Sequence, residues 1–379
     1  MSFIYFMFYL SSIALDSQNF LDHYWHRPLP SQGSPSATLN SLESALEPQA
    51  CQNCHPTQFS QWQQSRHARA LGAGVIGQLM DMTPEEQQSC LNCHAPLAEQ
   101  FDSLSKATQS KLHEQGVICS ACHVRHYQWF GPPRRSDLPP LTASLPHNGW
   151  QSHLAFTDSR FCAACHQFPE DGYALNGKLL ENTYHEWQAS PQAQQGKTCQ
   201  FCHVPNRQHL WRGIHDAAMV LSGVEIHASS VSIQEKTVRA TLSLQNTQVG
   251  HFFPTYVTPR VVLEGYQETA TGKKLADSVQ QKIIAWSVSL DLTTEVFDTR
   301  LAPQQTAVLE YHAPVAPQAT TLVLRIVVEP EAFYTRFYQS LLASQSAKTG
   351  LERIRQAMVD SQATQFVLYC SRLNLEDIR

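Results

Sequence analysis

One short pattern, Cys-x-x-Cys-His, occurs five times between residues 51 and 203 and constrains everything else. The copies are Cys51-Gln-Asn-Cys54-His55, Cys90-Leu-Asn-Cys93-His94, Cys119-Ser-Ala-Cys122-His123, Cys162-Ala-Ala-Cys165-His166 and Cys199-Gln-Phe-Cys202-His203. Two thiols one helical turn apart suit the two vinyl groups of one haem. The histidine that follows reaches the iron from the same turn as an axial ligand. Zinc knuckles pair cysteines without a histidine after every second one, and a thioredoxin-like site is a single motif. A disulfide framework has no reason to keep a two-residue gap five times. The expectation is therefore five covalent haem c groups on these ten cysteines, with iron held by His55, His94, His123, His166 and His203. Cys370 is left over and reads as a small buried residue near the C-terminus.

A segment with one haem per thirty or so residues cannot build an ordinary aliphatic core, so the haems must serve as the core, wrapped by short helices. This predicts a pentahaem cytochrome c domain over 51–216. Before it, Phe3 to Ala14 is an apolar run whose length suits a signal peptide (1–15) better than a membrane span. No Lys or Arg precedes the run, which leaves an uncleaved, membrane-associated anchor open. Residues 16–50, with Pro28, Pro30, Pro35 and several serines, read as a linker or arm. Phe59-x-x-Trp62-x-x-Ser65 is echoed by Tyr184-x-x-Trp187-x-x-Ser190, the mark of a repeated haem-packing helix.

After Asp216 the period changes to two. Val238, Ala240, Leu242 and Leu244 alternate with polar residues, and Leu322, Leu324, Ile326 and Val328 fall at every second position. Arg260–Glu264, Lys282–Leu292 and Thr306–Tyr311 are further strands, giving a β-sandwich over 217–330. Helical spacing of Phe333, Tyr334, Phe337, Tyr338, Leu341 and Leu342, and of Leu351, Ile354 and Met358, predicts a C-terminal helical segment over 331–379. The fold class expected is α+β: a mostly helical cytochrome domain, an all-β sandwich-like domain and C-terminal helices.

Closing each iron needs a second axial side chain. Of the chain's 18 histidines, thirteen lie outside the motifs. His67, on the aromatic helix after the first motif, is the foremost candidate; His209 and His215, after the last motif, and His147, on a loop before the fourth, follow. His126 is too near His123 to cap the same iron but can reach a neighbouring one. His251 reads either as a strand-end histidine or as a ligand sent from the β-region. His113, His153 and His185 are weaker.

Cys51 to His67 resembles the opening of multihaem cytochromes of the c-552/c-554 type, with an aromatic-x-x-Trp-x-x-Ser-x-His run after the first motif. Thr183–Pro191 leading into Cys199–His203 is similar to the end of such haem domains. Gly250-His251-Phe-Phe-Pro254-Thr255 resembles a motif of their appended β-domains. The resemblance implies closely spaced haems, many with two histidine ligands. The chain departs from it in having five motifs rather than four, and Val204 where a Met follows the last histidine.

Two functions fit. In the first, every iron is closed and an exported protein passes electrons between redox partner proteins. In the second, one five-coordinate haem reduces a small nitrogen or sulfur oxyanion. A formal charge of −5, made more acidic by haem propionates, sets nucleic acid aside as a partner. The oligomeric state is not legible.

Overall fold

The computed structural model describes residues 16–105, 112–137, 145–344 and 349–378. The apolar run lies outside them. Among the described residues no helix is long and apolar enough to cross a membrane. The chain divides into two compact units. The first contains the described residues up to Cys165, then Lys197–Trp211 and a return segment ending at Ile354; the second contains His166–Gly196, the long run from Arg212, and the chain from Arg355 onward. The division passes between Cys165 and His166, inside the helix of the fourth motif.

Each motif begins on a short helix: Pro48–Gln52, which ends before Cys54, Pro84–His94, Cys119–His123, Arg160–His166 and Cys199–His203. Local chemistry sets where they start. Pro at the first helical position suits a turn whose N–H has no partner, and Thr83 with Glu86 forms a capping box before the second motif. The apolar clusters of the first unit are small. One gathers Leu29, Phe59, Trp62, Leu97, Leu112, Ile118 and Ala121; another gathers Leu71, Leu79, Leu91 and Ala95.

The segment expected to be a linker is instead partly helical, over 16–24, and buries Leu21, Tyr24, Leu29 and Leu46. Its prolines are real breaks, but its aromatics carry enough apolar area to hold it down.

The second unit is built on two four-stranded antiparallel sheets, with two short two-stranded ones beside them. We label the strands β1 (Val224–Ala228), β2 (Ser232–Gln234), β3 (Thr237–Asn246), β4 (Arg260–Glu268), β5 (Gln280–Ile284), β6 (Thr306–Pro314), β7 (Thr321–Glu329) and β8 (Phe366–Asn374). One sheet runs β6-β3-β1, with β2 also on β3; the other runs β5-β4-β7-β8. In β6 the buried residues Ala307, Leu309, Tyr311 and Ala313 alternate with exposed ones, and Leu309 lies opposite Leu242. The inner faces share one core of Val238, Leu242, Leu244, Leu263, Leu322, Leu324 and Ile326. In β4 and β7 nearly every residue is buried, which is why Val323 and Val327 break the alternation.

The C-terminal region expected to be helical does hold helices at Ala332–Ser344 and Leu351–Gln362. It then ends in β8, which completes the second sheet against β7. A helical pattern in 333–358 hid the change of period after Gln362. Cys370 lies on β8 and is exposed rather than buried.

Candidate haem-binding site

The motifs that are distant in sequence interleave in the first unit. The Cys51 thiol hydrogen-bonds with Cys119, Cys93 with Cys165, and Cys162 with Cys199. Burial pushes the Cys122 thiol up to about 11. None of the eleven cysteines is in a disulfide, which leaves the ten motif thiols available as single attachment points.

The motif histidines show what prepares an imidazole for a metal. His94 places Nδ1 2.6 Å from the Ala70 carbonyl, and His123 places Nδ1 2.8 Å from that of Phe130. In the second unit, His166 Nδ1 lies 2.8 Å from the Tyr256 hydroxyl. An Nδ1–H donated to a carbonyl fixes the tautomer and leaves the Nε2 lone pair for iron.

Among the distal candidates, His209 and His147 share this device. His209 Nδ1 meets the Arg207 carbonyl at 3.0 Å and His147 Nδ1 that of Gly149 at 2.8 Å. His209 faces His123 with ring centroids 6.2 Å apart. Two metal–nitrogen bonds of about 2 Å, plus about 1 Å from each nitrogen to its ring centre, place two axial imidazoles about 6 Å apart. The pair therefore has the separation a shared iron needs. Burial holds His123 down to about 4 and His209 below its ordinary value, so both are neutral, the ligating form, at pH 7. His55 is held low by desolvation and then by the charge of His147, which puts those two rings in one neighbourhood.

His67 follows the helix Pro56–Gln64 and sits against Trp211, with ring centroids 4.7 Å apart. Its backbone is fixed by a close approach: Val117 N–H donates to the His67 carbonyl, and a Cβ on Gly116 would lie 2.3 Å from that oxygen. His251, in the second unit, places Nδ1 2.8 Å from the Phe252 carbonyl.

His215 and His126 have other surroundings. His215 has its Nε2 2.8 Å from the Glu331 carboxylate, so the nitrogen that iron would need is taken. His126 is exposed at the turn of a hairpin, with positive φ at both His126 and Tyr127, and its backbone N–H donates to Gln32 Oε1 at 2.7 Å. Proximity to a motif in sequence suggested both, and tertiary packing sent them elsewhere. Of the weaker candidates, His153 accepts the Ala155 N–H at Nδ1 and turns Nε2 to Asp16, and His185 is exposed.

The repeated helix has a role that residue patterns alone did not show. Gln61, just before Trp62, accepts the backbone N–H of His209 at 2.8 Å. Glu186, just before Trp187, accepts the N–H of Phe252, next to His251, at 3.1 Å. Ser65 and Ser190 each donate N–H to the carbonyl of their Trp, and each accepts the N–H three residues on. Within the second unit Glu186 also takes Thr255 Oγ1 at 3.2 Å and the buried Arg300 at 3.0 Å. Burial raises the Glu186 carboxyl in spite of these donors. Equal positions in the two copies were the signal available for Gln61 and Glu186; Arg300 and Tyr256 carried none.

Residues 50–124 match the family model described as cytochrome c554 and c-prime. A crystal structure of a penta-heme cytochrome c552 from Thermochromatium tepidum is similar in fold, with a TM-score of 0.63 at 18% identity over 89% of this chain and 100% of that one. No curated protein matches the chain significantly. Together with the five motifs of the chain itself, these likenesses support a multihaem c-type cytochrome with haem c and iron as its cofactor.

Proposed function

We propose that the protein is an extracytoplasmic electron carrier that passes electrons between redox partner proteins. The observation that carries this reading is the interleaving of the motifs, in which cysteines of the first and third, second and fourth, and fourth and fifth meet. Attachment edges so close allow an electron entering at one motif to reach the others by short hops. Haem c supplies the one-electron iron couple; the chain supplies spacing and ligand geometry. Cytochrome c maturation occurs outside the cytoplasm, and the apolar run at residues 3–14 fits export. His147 serves the iron of His55, and His209 that of His123. His67 and His251 close two of the other three.

Among the described residues these candidates number four for five irons, because His215 faces Glu331. That favours a second reading, in which the remaining iron is open and reduces a small oxyanion. Carbon monoxide binding by the reduced protein counts open irons, and turnover of nitrite or sulfite with a dye donor tests catalysis. We expect at most one haem to bind carbon monoxide and no turnover above the rate of free haem. Turnover far above it would replace the carrier with a reductase.

A further inference from the structure

Three N–H donors stand together in the first unit without acceptors: Trp25 Nε1, Arg27 Nε and Arg125 Nη2 are buried and unpaired among the described residues. They belong to one cluster. The Arg125 guanidinium lies 3.9 Å from the Tyr24 ring centre and 5.0 Å from that of Trp25; Arg27 lies 5.8 Å from Trp25.

Arg125 is only 8% exposed and is locked as a cation. Its Nε donates to the Tyr24 carbonyl at 2.8 Å, and its Nη1 to the Ala121 and Val124 carbonyls at the end of the third motif's helix. Arg27 donates Nη1 to Cys93 Sγ at 2.9 Å and Nη2 to Cys165 Sγ at 2.8 Å. The two guanidiniums are close enough to repel each other. Neither has a carboxylate within ion-pair distance among the described residues. Two like charges, one buried and one half-buried, and three unmet donors are costly unless an anion joins them.

We propose that Trp25, Arg27 and Arg125 form a buried carboxylate-binding site, filled in the holoprotein by a haem propionate. The inference rests on the reading of the motifs as haem sites, since haem brings carboxylates to this part of the chain. Propionates lie on the porphyrin edge opposite the thioether bonds. The carboxylate therefore comes from a haem other than the two whose cysteine sulfurs Arg27 touches. A paired propionate no longer opposes reduction of its own iron, so the site raises that haem's potential.

The test is a redox titration, resolved by haem, of the holoprotein and its R27Q, R27K and W25F variants, with resonance Raman of the propionate bending band. Arg125 also closes a helix, so R27Q carries the test. R27Q should disfavour reduction of one haem about tenfold, about 59 mV for one electron, and shift the Raman band. R27K should restore most of the potential, and W25F should shift the band with a smaller change in potential. Five haems with unchanged potentials and band in R27Q overturn the site alone, as does a holoprotein structure with only water against the three donors. Fewer than five haems in the unaltered protein overturns the haem assignment, and the site with it.

Discussion

His209 and His123 face each other with ring centroids 6.2 Å apart, and the proposal that they share one iron ties coordination to single atoms. Removing His209 takes away one axial imidazole and leaves the other, held by its own bond to Phe130. H209A is expected to turn one haem high-spin and make it bind carbon monoxide when reduced, with the other haems unmoved. Electron paramagnetic resonance and a carbon monoxide difference spectrum check this, and a change spread over all five haems would count against the pairing. Gly116 makes a second residue-scale case. An added methyl at 116 meets the His67 carbonyl and the Ala70 N–H, both backbone, so the chain must move. G116A is expected to cost about 1–3 kcal/mol in stability and, on the proposal that His67 is a ligand, to broaden the low-spin signal of one haem.

At the scale of elements, the two copies of the aromatic helix act as brackets for ligand loops. Gln61 and Glu186 occupy the same place before a Trp; Gln61 holds the backbone N–H of His209, and Glu186 that of Phe252, next to His251. Q61L removes the acceptor for the His209 N–H and leaves that donor unmet, at a cost of about 1–3 kcal/mol. Denaturation followed at the haem band should show this loss together with a partial high-spin signal. In E186Q the buried Arg300 keeps Asp298 at 2.9 Å but loses its bond to a charged partner. On the order of 3 kcal/mol is expected to be lost, read by thermal unfolding of the second unit. Loss of less than about 0.5 kcal/mol would mean that the bracket is idle.

For the molecule as a whole, the two units differ in what makes them compact. The sandwich has a continuous aliphatic core on both inner faces. The first unit has small apolar clusters and ten motif cysteines, and on the proposed reading the haems themselves supply the rest of its core. Chain made without haem attachment should therefore lose the first unit to protease while a fragment carrying 224–374 persists. Mass spectrometry of the digest identifies it, and equal loss of both regions would show that the sandwich needs the haems too.

Haem attachment was legible in the sequence because its chemistry is local: two thiols and an imidazole must share one turn, so residue order alone specifies them. The sandwich strands were legible for a similar reason, since alternation in 238–244 reports one buried face. The last strand was not, because Phe366–Asn374 alternates only weakly and gains its place from pairing with β7. Distal ligands lie beyond what order can tell. His215 and His209 look alike six residues apart. Only tertiary packing turns one to a carboxylate and the other to His123. The same holds for Arg27, which reads as part of a linker and is brought by folding to two cysteines far along the chain. Second ligands and buried charges are chosen by what meets them in space, and that is set by the packing of the whole unit.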